Sequence, residues 1–110
     1  MVQLTTEQVK EKINSGEDFI LDLYATWCGP CKMMLANLER VNESITSDTS
    51  LPQNYNIYKL DIDSGDRDFI INDLKIRSVP TIKIFKEGKE VFSRVGVMSP
   101  TELINSISTI

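Results

Sequence analysis

Two cysteines separated by two residues, at the junction between an apolar run and a helical pattern, limit what this chain can be. Phe19-Ile20-Leu21-Asp22-Leu23-Tyr24-Ala25 is nearly all apolar and reads as a buried strand over 19–25. Thr26-Trp27-Cys28-Gly29-Pro30-Cys31-Lys32 follows, and a helical pattern begins near Pro30. Proline suits a first helical turn, where its missing N–H costs nothing. Gly29 lets the chain turn tightly. Cys28 therefore falls at a helix N-terminus, where unpaired N–H groups and the macrodipole favour an anion. That anion is a thiolate, the nucleophilic form of cysteine. Cys28 is placed for attack, and Cys31, about one turn later, can reach back to it.

Other uses of the pair are weaker. A disulfide across so short a loop adds little chain-entropy stabilisation. A structural zinc needs about four ligands, and the chain has no histidine and no other cysteine. A zinc site shared between chains or completed by carboxylates, and an inert buried pair, stand as alternatives to redox chemistry. With 110 residues the chain is long enough for one cored domain over 1–110 and too short for two. Its net charge of −4 and lack of a basic run disfavour nucleic acid. No apolar stretch approaches the roughly 20 residues of a membrane span, so no membrane partner is expected. Met1 to Glu7 lacks the basic and apolar regions of a signal peptide. A cytoplasmic location follows, where a lone C-x-x-C pair is catalytic or metal-binding more often than structural.

Taken in order, Thr5 and Gln8 make a capping box, Val9 and Ile13 share a face, and Gly16 ends the helix. Val2-Gln3-Leu4 is a candidate edge strand. From Pro30 a helix runs to about Ile45, with Met34, Leu38, Val41 and Ile45 inward and Met33 exposed near the cysteines. Residues 46–56 are polar and turn-rich and are read as a mobile loop that proteolysis cuts first. A strand covers 57–63, with Ile57, Lys59, Asp61 and Asp63 on one face. A short helix over about 67–74 turns Ile70, Ile71 and Leu74 inward. Ile82–Phe85 and Glu90–Val95 are strands joined at Glu87-Gly88 as an antiparallel hairpin. Ser99-Pro100-Thr101-Glu102 starts the last helix, with Leu103, Ile104 and Ile107 apolar. The fold class is α/β: a mixed sheet of four to five strands with helices on both faces.

These residues carry a resemblance along almost the whole chain. Trp27-Cys28-Gly29-Pro30-Cys31-Lys32, Asp22 six residues earlier, Lys59-Leu60-Asp61-Ile62-Asp63, Val79-Pro80-Thr81, Phe85-Lys86-Glu87-Gly88 and Val95-Gly96 occur in the order and setting of the thioredoxin family. C-x-x-C alone is weak; the tryptophan, the Gly-Pro centre and the distant Val-Pro-Thr make the match specific. The resemblance implies a thioredoxin fold and a protein disulfide reductase that needs no cofactor or metal. Cys28 then attacks a substrate disulfide and Cys31 resolves the mixed disulfide. Its partners are disulfide-containing proteins and a thioredoxin reductase or equivalent dithiol donor, and it acts as a monomer.

A carboxyl group in a buried strand is desolvated, which raises its pKa and suits proton transfer near neutrality. The resemblance makes Asp22 the proton acceptor for the resolving cysteine, with Lys59 close to it. Pro80 resembles the family's cis-proline. Trp27, Gly29, Pro30, Val79, Pro80, Gly96 and Val97 form the implied substrate surface around Cys28. The chain departs from the family's pattern in three places. Ala36 stands where a proline usually kinks the helix, the 46–56 segment is long, and Lys75 and Ser78 replace glycines. An oxidase or isomerase is a second enzyme reading, although such relatives usually carry histidine between the cysteines and this chain has none. An accessory subunit with incidental cysteines is the rival from another class.

Overall fold

A computed structural model describes residues 1–47 and 55–110. The elements are β1 (Val2–Gln3), α1 (Thr6–Ser15), β2 (Phe19–Tyr24), α2 (Gly29–Ser47) and β3 (Asn56–Asp61). A π-helical turn (Phe69–Asp73), β4 (Thr81–Lys86), β5 (Lys89–Val95) and α3 (Pro100–Thr109) follow. One five-stranded sheet has the order β1-β3-β2-β4-β5. β3 runs parallel to both β1 and β2, while β4 is antiparallel to β2 and to β5. The parallel β2–β3 pair follows from a helical crossover, α2, and the hairpin from a two-residue turn. Glu87 (φ 54°) and Gly88 (φ 80°) both adopt left-handed backbone there, as a twisted two-residue hairpin requires.

β2 lies at the centre, which is why its sequence is almost entirely apolar. Alternation divides it between two cores. Phe19, Leu21 and Leu23 enter one with Val9, Leu60, Phe69, Ile70 and Leu74, on the α1 side. Ile20 enters the other with Met34, Leu38, Val41, Ile82, Ile84, Met98 and Leu103, beneath α2 and α3. Asp22 shares the Ile20 face and so points towards α2. Both capping boxes form. The Gln8 N–H donates to Thr5 Oγ1 at 3.1 Å, and the Glu102 N–H donates to Ser99 Oγ at 3.1 Å.

Two expectations need correction. The 67–74 segment is not an ordinary helical turn. The Leu74 N–H donates to the Phe69 carbonyl, five residues back, at 2.9 Å. This wider turn carries Phe69 inward with Ile70 and Leu74 and leaves Ile71 46% exposed. Asp66 anchors its start, accepting from the Phe69 N–H at 3.2 Å and from Lys10 Nζ at 2.9 Å. The polar loop is also shorter than 46–56, because α2 continues through Thr46 and Ser47 and β3 begins at Asn56. Serine and threonine here bond back to the preceding helical turn, as Thr46 does to the Asn42 carbonyl at 3.0 Å. The expected mobility and proteolytic cutting fall chiefly on 48–54, outside the described residues.

α2 runs unbroken through Ala36, which is exposed, with Met34, Leu38, Val41 and Ile45 buried as the spacing predicts and Met33 62% exposed. Proline at position 36 would remove the N–H that bonds towards the Lys32 carbonyl and would set its ring against it. Ala36→Pro is expected to cost about 3 kcal/mol in urea denaturation. A cost below about 1 kcal/mol would mean that packing on the sheet already bends α2 there.

Candidate active site

β2 ends at Tyr24, and its direction delivers the chain to the C-terminal end of the central strand, where α2 begins. The turn closes when the Cys28 N–H donates to the Ala25 carbonyl at 3.2 Å. α2 then starts at Gly29, so Cys28 immediately precedes its first turn. Cys28 and Cys31 are joined as a disulfide, with Cα atoms 5.3 Å apart. The Cys31 N–H donates to Cys28 Sγ at 3.2 Å. That N–H belongs to the first helical turn, where amides lack carbonyl partners within the helix. It is aimed at Cys28 Sγ, and such a bond is stronger when its acceptor is ionised.

Both cysteines are largely covered. Ala25, Cys28 and Cys31 form a small buried cluster against Tyr24, Ile62 and Val79. The Val79–Pro80 peptide is cis, and Pro80 is buried at the start of β4. The Gly96 N–H donates to the Pro80 carbonyl at 2.8 Å, which brings the end of β5 beside the Val79–Pro80 segment. Gly29 and Pro30 are exposed at the head of α2, and Val97 is exposed beyond β5. Trp27 is 70% exposed, yet its Nε1 donates to Asp63 Oδ2 at 2.8 Å. Trp27 and Val97 thus lie on the surface rather than in the buried cluster. Asp63 had no expected role. Its place in the Lys59–Asp63 segment was the only sign of it, and the sequence does not say which side chain it would meet.

Behind the cysteines a cavity of about 230 Å³ is lined by Asp22, Tyr24, Ala25, Thr26, Cys31, Lys32, Leu35 and Lys59. Asp22 is 1% exposed, and among the described residues its Oδ1 has no hydrogen-bond partner. Burial pushes its carboxyl up to about 7, and the neighbouring Lys59 ammonium pulls in the opposite direction without offsetting it. The register explains the pairing: Asp22 stands directly opposite Lys59 across the parallel β2–β3 ladder. Lys59 Nζ also sits 5.7 Å from the centre of the Tyr24 ring, a cation–π distance. Asp22 and Cys31 therefore line one cavity.

Lys75, one of the departures from the family's glycines, has φ 56°. That is left-handed backbone, which costs a residue with a Cβ about 1–2 kcal/mol. Glycine adopts it without strain. Lys75→Gly is expected to raise stability by about 1 kcal/mol, read as a higher urea midpoint at unchanged m-value. A lower midpoint would show that the lysine side chain contributes more than its backbone costs.

The thioredoxin family model matches residues 1–109. The thioredoxin of Chlamydia trachomatis serovar D is 38% identical over 109 residues, covering 98% of this chain and 97% of that one. Oxidised mitochondrial thioredoxin 3 of Saccharomyces cerevisiae aligns with a TM-score of 0.80 at 26% identity, covering 100% of this chain and 95% of that one. Chloroplastic thioredoxin z aligns with a TM-score of 0.81 at 27% identity, covering 99% and 92%. A disulfide across two intervening residues at the head of α2, in a fold and sequence shared over nearly the full length of these relatives, leads to one conclusion: the chain belongs to the thioredoxin family, and Cys28 and Cys31 are the dithiol of a disulfide reductase.

Proposed function

We propose that Cys28 is the attacking thiolate and Cys31 the resolving thiol, with Asp22 accepting the proton of Cys31 and Lys59 adjusting the charge at Asp22. In the first step the Cys28 thiolate bonds to one sulfur of a substrate disulfide, the substrate S–S bond breaks, and the other substrate sulfur leaves as a thiolate. In the second, Cys31 passes its proton to Asp22 through the shared cavity, and its thiolate attacks Cys28 Sγ. The second substrate sulfur leaves, and Cys28–Cys31 becomes the disulfide. Two electrons have moved from the protein dithiol to the substrate. Trp27, Gly29, Pro30, Val79, Pro80, Gly96 and Val97 receive the substrate chain around Cys28.

The observation that carries this reading is the Cys31 N–H aimed at Cys28 Sγ, because it favours negative charge on one of the two sulfurs only. A thioredoxin reductase or an equivalent dithiol donor restores the pair. The chain acts as a monomer in the cytoplasm, where a chain with only two cysteines, both in the redox pair, needs no structural disulfides. Among the described residues no helix is long and apolar enough to cross a membrane. The test is reduction of a protein disulfide driven by dithiothreitol, followed by NADPH with candidate reductases. Turnover well above dithiothreitol alone is expected; a rate equal to the blank would overturn the proposal.

A further inference from the structure

The loop that follows β5 is tied to α2 through a single residue. Met98 is fully buried, in the core beneath α2 and α3. Its N–H donates to Met34 Sδ at 3.2 Å. Its carbonyl accepts from Asn37 Nδ2 at 2.8 Å. Both polar groups of Met98 are thus satisfied by side chains of one helix, and that helix carries Cys31 one turn before Met34. Two residues earlier, the Gly96 N–H is bonded to the Pro80 carbonyl at 2.8 Å. Val97 is the residue between these ties, and it is 36% exposed.

We infer that Met34 and Asn37 are positioning residues for substrate specificity. They hold the Gly96–Val97 segment at a set distance from the thiols at the head of the same helix. The inference rests on the assignment of Gly96 and Val97 to the substrate surface. Because α2 carries Cys31 and the two anchors, and Cys28 immediately precedes its first turn, a shift of the loop relative to Cys28 requires breaking a buried carbonyl's bond to Asn37. Loss of one partner leaves the other buried and unpaired, which is the costly way to lose a hydrogen bond. A protein substrate that lies across the loop feels that displacement. A small disulfide that meets only Cys28 does not.

The test compares a protein disulfide with a small aromatic disulfide as substrates for Asn37→Leu, Asn37→Asp and Val97→Asp. Asn37→Leu keeps most of the side-chain volume and loses the donor. Asn37→Asp keeps the shape and turns an acceptor towards the Met98 carbonyl. Both are expected to raise KM for the protein disulfide roughly tenfold, with kcat and the small-disulfide rate within about twofold. Met34→Leu should shift KM in the same direction by less, since a thioether is a weak acceptor. Parallel loss on both substrates, in step with lower thermal stability, would mean that Asn37 is merely structural and would overturn the inference. If Val97→Asp raises the protein KM and neither Asn37 variant does, the anchors fail while the substrate surface stands. If Val97→Asp leaves the protein KM unchanged, the substrate-surface assignment falls and the inference falls with it.

Discussion

Cys28→Ser is expected to abolish disulfide reduction, and Cys31→Ser to trap it halfway. A serine hydroxyl stays protonated near neutrality and is not a competent nucleophile towards a disulfide, whereas a thiol at a helix N-terminus ionises readily. Without Cys28 the remaining thiol is Cys31, within the first turn of α2 and on the cavity it shares with Asp22. Without Cys31 the first exchange still proceeds, but no internal thiolate displaces the substrate from Cys28. The Cys31→Ser protein should therefore accumulate a covalent adduct, seen by non-reducing mass spectrometry as the mass of the substrate thiol added at Cys28. An adduct that forms on Cys31 in the Cys28→Ser protein, and none in the Cys31→Ser protein, would reverse the two roles.

Asp22→Asn is the second large effect, and it has opposite signs for stability and for rate. In the unfolded chain an aspartate titrates near 3.9, while in the fold burial holds Asp22 at about 7. Below about pH 4 both states are protonated and the carboxyl costs nothing. As pH rises further, the unfolded state loses its proton first, so stability falls by about 1.4 kcal/mol for each pH unit. The decline ends once the folded group also ionises, near pH 7. Roughly three pH units separate the two titrations, so the cost approaches about 4 kcal/mol at neutral pH.

Asparagine cannot ionise. The stability of the variant relative to the native protein should therefore grow between pH 4 and pH 7, when denaturant midpoints are compared across that range. That comparison cancels the constant cost of burying an amide. The same substitution removes the proton acceptor beside Cys31, and resolution of the mixed disulfide should slow by roughly tenfold or more. A stability difference that does not change with pH, together with unchanged exchange, would place Asp22 in solvent rather than in the core.

Two charged residues, Asp22 in β2 and Lys83 in β4, show where reading a sequence succeeds and where it stops. Asp22 interrupts an apolar run, and such a run is central because both its faces are covered. A charge inside it must be desolvated whatever the rest of the chain does. Lys83 interrupts the Ile82–Phe85 run in the same way and is likewise buried, at 4% exposed. Its ammonium, however, is held by Glu90 at 2.6 Å and Ser93 at 3.2 Å across the β4–β5 hairpin. Asp22 has Lys59 opposite it but no hydrogen-bond partner at Oδ1 among the described residues. Burial is legible from the pattern of neighbours along the strand. Whether a buried charge is paired depends on which strand lies alongside and in what register.

The same division runs through the rest of the molecule. Capping boxes at Thr5 and Ser99, the inward face of α2, the hairpin turn and the thiol pair at a strand–helix junction depend on residues within about one helical turn of each other. Local sterics and hydrogen bonding decide such features, so the amino-acid order alone determines them. The inward turn of Phe69 in place of Ile71, the bond from Trp27 to Asp63, and the anchoring of Met98 by Met34 and Asn37 join residues that compete for several partners. Trp27 and Asp63 are 36 residues apart, and Asn37 and Met98 are 61 apart. Only the assembled sheet and its two layers of helices bring those groups within bonding distance, because nothing local to either partner selects the other.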